Sequence, residues 1–402
     1  MNQTLALDQH VEELSLFFQQ DFHGLRPFDP LVMQLCEELS QEIFNHPESQ
    51  SRPDFMSLAF WLRKTHIHEL HQAFLLKENP KLLLLPRGIA FHIPPANIDV
   101  MLVYSWICSL LAGNGNVIRL PGSFSQKLLS LIQNVLQKSP FESIQKTTKW
   151  LRYGHEDDLT AWISDHSDIR IVWGGDETIH HIRKIPLNPR AKEIVFPDRF
   201  SYAVIHAEAF QKASLEEQKR QINYFFNDAF LFDQAACSSP RILFWIGDQA
   251  TIHSASQAFY RLLEETIEQK GFAISLGGTL LKKTYTYNQA INLPVKAVYQ
   301  LSNELTVLVL KELHAGIRIH CGQGLIYHAS LQSLQELKSF PNRQDQTLTY
   351  YGFTPEEMKE WLKAVNGRGI DRVVPFGQAL NFDVIWDGQD LLTALTQQCR
   401  IK

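Results

Sequence analysis

The chain has 402 residues, of which 45% are hydrophobic and 20% charged, with a formal net charge of -5. That length exceeds the roughly 250–300 residues at which a single core stops growing, so two or more domains are expected, and the acidic balance excludes the basic surface through which proteins bind nucleic acid. The five cysteines, Cys36, Cys108, Cys237, Cys321 and Cys399, are widely spread and form no CxxC pair, which argues against a disulfide framework and a structural zinc site and fits a reducing cytoplasm.

Met1–His10 lacks the basic and apolar regions of a signal peptide. Residues 1–80 read as helices packed on a larger body, with apolar positions three and four apart, as in Leu14, Phe17, Phe18 and Leu31, Leu35, Leu39. From Lys81 the pattern becomes strand (Leu82–Leu85), turn (Pro86–Gly88), strand (Ile89–Ile93), a Pro94-Pro95-Ala96-Asn97 break and a helix. The greasy Met101–Leu111 run falls well short of the roughly 20 residues needed to span a bilayer, so it is expected to be a buried helix and no membrane span is read. Strands follow at Asn116–Leu120 and Ile169–Trp173, with helical periodicity from Ser125 to Gln137 between them. Alternating strands and helices imply a largely parallel, doubly wound α/β sheet.

Ligands of such sheets bind beyond the carboxyl ends of the strands. Trp173-Gly174-Gly175-Asp176 therefore reads as strand, glycine turn and helix start, where backbone donors can meet a phosphate. No G-x-G-x-x-G follows a predicted strand, so nucleotide binding is not legible from a motif.

A second α/β block begins near His206. A helix from Ser214 to Asp228 leads into a Cys237 loop, and alternation continues through Ala273–Leu276, Ala297–Gln300 and Leu305–Leu310. Cys237 stands between a polar turn and a Ser238-Ser239-Pro240 breaker, so its thiol is expected to be displayed, where nearby N–H groups can stabilise a thiolate or an oxyanion. Gly367–Leu380, rich in glycine and arginine, reads as a functional loop. The organisation expected is a helical segment at 1–80, a cofactor domain at 81–205, a catalytic domain at 206–375 and a C-terminal return at 376–402.

Six stretches, Gly88–Asn97, Ser109–Arg119, Val172–Thr178, Phe196–Ser201, Asp233–Pro240 and Pro375–Phe382, together resemble the acyl-CoA reductases of the LuxC type, a divergent branch of the aldehyde dehydrogenase superfamily. The resemblance implies an aldehyde dehydrogenase-like fold, with a Rossmann-type cofactor domain beside a second α/β catalytic domain. It implies reduction of a long-chain acyl-CoA or acyl adenylate to a fatty aldehyde by NADPH, in a homodimer or tetramer, with an acyl-protein synthetase as a partner. Cys237 matches the nucleophile, whose thiolate would take up the acyl group, and Asn97 the oxyanion-hole asparagine. Trp173, Gly174 and Gly175 fall where the superfamily meets the cofactor pyrophosphate. Arg119 and Ser123 fall around the adenosine ribose, without the acid that oxidising members carry there, which favours NADP.

The glutamate with which oxidising members activate water is missing at its place, where Ile194–Phe200 stands; Glu193 is either a displaced base or a structural charge. Cys321 reads as structural. The alternative reading is a cofactor-independent cysteine acyltransferase or thioesterase, for which Cys237 alone would suffice. A non-catalytic assembly partner is disfavoured by the presence of both Cys237 and Asn97.

Overall fold

The computed structural model describes residues 11–19, 25–154 and 156–402; the leader reading of Met1–His10 lies outside them. The chain forms two compact units, one built from residues up to Pro197 together with Phe382–Lys402, the other from Asp198–Asn381. Among the described residues no helix is long and apolar enough to cross a membrane.

The part of the first unit that precedes Asp198 carries β1 (Leu82–Pro86), β2 (Ile89–Ile93), β3 (Gly115–Arg119), β4 (Thr148–Leu151), β5 (Ile169–Trp173) and β6 (Lys192–Phe196). Five of them form a parallel sheet in the order β4-β3-β2-β5-β6. Every residue of β2 and β5 is buried, as expected for parallel strands covered on both faces. The order reverses between β2 and β5, giving the doubly wound arrangement its switch point there. Helix Asp99–Leu111 crosses from β2 to β3 and is buried along its whole length from Val100. Its outer cover includes helix Pro30–Asn45, whose Val32, Leu35, Cys36, Leu39 and Ile43 share one core with it.

Leu82–Leu85 and Ile89–Ile93 read in sequence as neighbouring strands around a turn, yet they enter different sheets. Strand β1 pairs antiparallel with Thr396–Arg400, from Leu82 opposite Arg400 to Pro86 opposite Thr396. The turn at Gly88 is pinned instead by Asn114, whose Oδ1 accepts from the Arg87 and Gly88 N–H groups at 2.8 and 3.1 Å.

The second unit carries β7 (Phe200–His206), β8 (Pro240–Ile246), β9 (Val295–Gln300), β10 (Thr306–Leu310), β11 (Leu325–Leu331), β12 (Asp345–Tyr351) and β13 (Arg372–Pro375). They form one sheet in the order β13-β12-β7-β8-β11-β10-β9, parallel except for β9. Apolar clusters cover both faces. Two expectations change here. Ala273–Ser275 is irregular and Leu276 opens a helix to Asn292, because the Ser275 hydroxyl caps it by accepting from the Gly278 N–H at 3.0 Å. Within Gly367–Leu380, Arg372–Pro375 is an edge strand, a place where its proline is tolerated.

A buried polar chain crosses the first unit. Trp173 Nε1 donates to Ser105 Oγ at 3.1 Å, and His92 Nδ1 and Nε2 lie 2.9 Å from Ser105 Oγ and Asn116 Oδ1. Since an amide oxygen only accepts, His92 carries its proton on Nε2. Burial pushes the imidazole down from 6.5 to about 4, against the opposing pull of Asn116. The neutral ring is therefore the folded form, and its contribution to stability is present above 6.5 and lost as pH falls through about 4. His92→Leu should flatten this acid limb in urea unfolding and, by orphaning Ser105 and Asn116, lower stability at neutral pH by about 1–3 kcal/mol; an unchanged acid limb would refute the assignment.

Candidate active site

At the carboxyl edge of the first unit's sheet, the loops after β2, β3 and β5 bring the candidate cofactor residues together. Asn97 is exposed after β2 and makes no side-chain hydrogen bond among the described residues. Ser123, in the turn after β3, donates from Oγ to the neighbouring Ala96 carbonyl at 2.8 Å, which ties the two loops to each other. Arg119, at the end of β3, donates from Nη2 to the Gly154 carbonyl, and its guanidinium lies 4.9 Å from the centre of the Tyr153 ring.

Trp173 turns inward. It is 6% exposed and stacked on Phe196 at 3.6 Å, so only its backbone faces the loop. At Gly174 a Cβ would sit 3.1 Å from two Thr178 side-chain carbons, a contact close enough that Thr178 would have to give way by a few tenths of an ångström. Gly175 is the N-cap of helix Asp176–Arg183 and has no side chain to satisfy the first-turn N–H groups. Small residues, open donors and a switch point fit a dinucleotide pyrophosphate. Asp176 and Glu177, both exposed in the first turn, set the opposing electrostatic limit.

Glu193 is not available as a base. Its Oε1 accepts from Arg170 Nε and Nη2 at 3.1 and 2.7 Å, and its Oε2 from Arg183 Nε at 2.9 Å. The carboxylate joins β5, β6 and helix Asp176–Arg183 as an ion-pair clamp.

In the second unit Cys237 precedes β8, at the amino end of the strand, and is half-buried rather than fully displayed. Helix Leu215–Phe230 is stopped by two consecutive left-handed residues, Asp233 (φ 47°) and Gln234 (φ 58°). The Asp233 carboxylate accepts from the Gln323 N–H at 2.7 Å and from the Gln323 side chain. Gln234 Nε2 donates to the Leu325 carbonyl at 2.8 Å. Beyond the turn, Ser201 Oγ donates to the Cys237 carbonyl at 2.6 Å while accepting from the Thr347 N–H at 3.0 Å.

Sequence reasoning missed Ser201 and also Arg241, which lies four residues past the cysteine and donates from Nε to the Gln234 carbonyl at 3.1 Å. Cys321 is half-buried, its thiol pushed up to about 12 chiefly by burial, which makes it a poor nucleophile.

The Pro375–Asn381 loop is also tied to the helix that leads to Cys237. Asp228 accepts from the Gly377 N–H at 2.7 Å and the Ala379 N–H at 2.9 Å, and Arg372 donates to the Gln378 and Ala379 carbonyls at 3.0 Å. Burial of the Asp228 carboxyl outweighs these two donors and Arg372 and pushes it up from 3.8 to about 7. A folded value above the unfolded one means stability that is full below 3.8 and declines as pH rises through about 7. Thermal melts over this window should show Asp228→Asn losing the decline while being less stable by about 1 kcal/mol or more near pH 5, since one of two buried N–H groups loses its acceptor; a parallel pH profile in the variant would count against the assignment.

A family model described as acyl-CoA reductase (LuxC) matches residues 67–270. A long-chain acyl-protein thioester reductase of Aliivibrio fischeri is 20% identical over 298 residues, 73% of this chain and 59% of the relative. A long-chain acyl-protein thioester reductase 2 of Photobacterium leiognathi is 22% identical over 170 residues, 42% of this chain and 34% of the relative. The chain thus spans less than two thirds of the length of these curated relatives. Among solved structures, 1-pyrroline-5-carboxylate dehydrogenase of Thermus thermophilus superposes with a TM-score of 0.64 at 11% identity, covering 92% of this chain and 80% of its own. Proline utilization A of Bdellovibrio bacteriovorus gives 0.67 at 12% identity, covering 100% and 46%. The aldehyde dehydrogenase-like fold anticipated from the sequence is thus the one observed, and with the family model spanning half its length the chain belongs to the acyl-CoA reductase (LuxC) family.

Proposed function

We propose that this chain reduces a long-chain acyl thioester to the fatty aldehyde through an acyl-Cys237 intermediate, with NADPH as reductant. The observation that carries this reading is a single cysteine in a turn fixed on every side by side-chain hydrogen bonds, in a chain of the acyl-CoA reductase family. The Cys237 thiolate attacks the acyl carbonyl, expels the donor thiol and holds the acyl group as a thioester. Asn97, whose side-chain amide makes no hydrogen bond among the described residues, is proposed as the oxyanion donor, a contribution that typically lowers such barriers by ~2.7–4 kcal/mol. When bound, the dinucleotide would supply a hydride to the thioester carbonyl carbon, giving a thiohemiacetal oxyanion. That adduct collapses to aldehyde and releases the Cys237 thiolate.

Hydrolysis of the acyl-enzyme would need a base to activate water. With Glu193 held between Arg170 and Arg183, that residue does not provide one, which favours the reductive fate. Gly174, Gly175, Arg119 and Ser123 are the residues that would hold the dinucleotide, and a Thermus dehydrogenase of the same fold has been solved with bound NAD. The names of the relatives favour an acyl group delivered on a protein; acyl-CoA and acyl adenylate are the other donors of the same chemistry.

Incubation with long-chain acyl-CoA, acyl adenylate or acyl-protein and NADPH should oxidise NADPH and release aldehyde, and Cys237→Ala should abolish both together with covalent acyl labelling. Release of the donor thiol without NADPH oxidation would establish the acyltransferase or thioesterase reading instead. Arg119→Ser should raise KM for NADPH by about tenfold, equivalent to about 1.4 kcal/mol, and leave KM for NADH nearly unchanged; equal effects on both would remove Arg119 from the choice of cofactor.

A further inference from the structure

Cys237 and Ser238 are the two central residues of a β-turn that the Ser239 N–H closes on the Ala236 carbonyl at 3.0 Å. Neither has a positive φ, so the turn is not of type II. The closing bond does not hold the peptide between the central residues, and rotation of that peptide is what separates one turn type from another. Its carbonyl is that of Cys237. The orientation of this one peptide therefore sets ψ of the residue that carries the thiol.

Arg241 and Gln234 act upstream of it. Arg241 donates from Nε to the Gln234 carbonyl at 3.1 Å and from Nη1 to the Arg199 carbonyl at 3.3 Å, while Gln234 Nε2 reaches the Leu325 carbonyl at 2.8 Å. Ser201 acts on the peptide itself, its Oγ lying 2.6 Å from the Cys237 carbonyl oxygen. The Thr347 N–H donates to the same hydroxyl at 3.0 Å, and a carbonyl only accepts, so the Ser201 proton is directed at Cys237.

The sheet is irregular on both sides of Ser201. From Ser201 opposite Pro240 to Tyr202 opposite Ile242, β8 takes in one residue more than β7; from Phe200 opposite Asp345 to Tyr202 opposite Leu348, β12 does the same. Pro240 has no N–H to offer at its rung. Such irregularities leave ladder groups without their usual partners and re-aim what lies beside them. Here the Ser201 hydroxyl takes the Thr347 N–H from one neighbour and gives its own proton to the turn that enters the other. Ser201 and Thr347 are both fully buried, so the geometry of this bridge is that of the sheet.

We propose that Ser201 is a positioning residue for Cys237: its hydroxyl holds the Cys237–Ser238 peptide in one orientation and thereby the direction in which the thiol leaves the backbone. The inference rests on the reading of Cys237 as the nucleophile. Attack on an acyl carbonyl needs the reacting atoms about 3–3.5 Å apart, and a misplacement of ~1 Å costs on the order of a hundredfold. A peptide free to rotate changes ψ of Cys237 and with it the path of the sulfur, so the loss of this bond is felt in acyl transfer.

The test is the rate at which the full chain takes up the acyl group of p-nitrophenyl octanoate, an activated ester that needs no carrier and no reductant. The thiolate forms the S-acyl bond as the ester C–O bond breaks and p-nitrophenolate leaves; peptide mass mapping locates the label, and a thermal melt accompanies each variant. Wild type should label at Cys237. Ser201→Ala should label there roughly 10–100-fold more slowly, and Ser201→Thr, which keeps the hydroxyl, should recover most of the rate. Tyr202→Phe removes a neighbouring buried hydroxyl, which donates to Asp345 at 3.5 Å, and should keep the wild-type rate. If Ser201→Ala does not fold, Ser201→Cys takes its place with a weak donor in the same space, and the same slowing is expected. Either variant, folded and labelling at the wild-type rate, overturns the proposal; so does equal slowing in Tyr202→Phe, or no recovery in a Ser201→Thr that melts like wild type. Failure of the nucleophile reading gives a different result. Wild type then carries no acyl group at Cys237 and both fall together, whereas a labelled wild type with an unslowed variant removes Ser201 alone.

Discussion

The second unit of this molecule depends on two adjacent residues, Asp233 and Gln234, holding a left-handed backbone that neither would choose alone. Side chains other than glycine are held there at a cost of order 1–3 kcal/mol each, and only where the surroundings over-determine them. Here the surroundings do so. Gln323 engages the Asp233 carboxylate, Leu325 accepts from the Gln234 amide, and the Gln234 carbonyl accepts from Arg241. The reversal they enforce ends the helix abruptly and sets Cys237 at the mouth of β8 instead of on another helical turn. Strain stored beside Cys237 in this way keeps its turn in one geometry.

The first unit solves a different problem. A doubly wound sheet gathers loops at the carboxyl ends of its strands, and those loops must be positioned without the glycine-rich motif that usually shapes them. Connections between loops and core serve instead. Ser123 reaches the Ala96 carbonyl, and Trp173 is anchored through Ser105 to His92 and Asn116 deep in the sheet. Burying that many polar groups is tolerable because each finds a partner. The outcome is a rigid floor beneath Gly174 and Gly175.

Much of this was legible in the sequence where a local signal sufficed. The apolar runs of β2, β5 and β10 and the buried helix Asp99–Leu111 followed from periodicity, and the breaker after Cys237 marked its turn. Partners remote in sequence were not legible. Leu82–Leu85 carries strand propensity but no indication that its neighbour lies some three hundred residues on, at Thr396–Arg400. Ala273–Leu276 reads as a short apolar run until the Ser275 cap is recognised as a helix start. Arg241 resembles any charge at the start of a strand, and only the fold reveals that its acceptors are two carbonyls. Glu193 was ambiguous for the same reason, since Arg170 and Arg183 flank it from separate elements.

The pairing of β1 with Thr396–Arg400 also bears on how the chain acquires its structure. The second unit is one uninterrupted stretch, Asp198–Asn381, inserted between the two segments that make the first. Domains generally fold as units while synthesis proceeds from the N-terminus. The inserted unit can therefore close on itself while its host still lacks a strand, and Leu82–Pro86 waits for its partner until Thr396–Arg400 has emerged. Leu83 and Leu85, still partly exposed in the finished fold, are for that interval an unpaired apolar edge of the kind that recruits other chains.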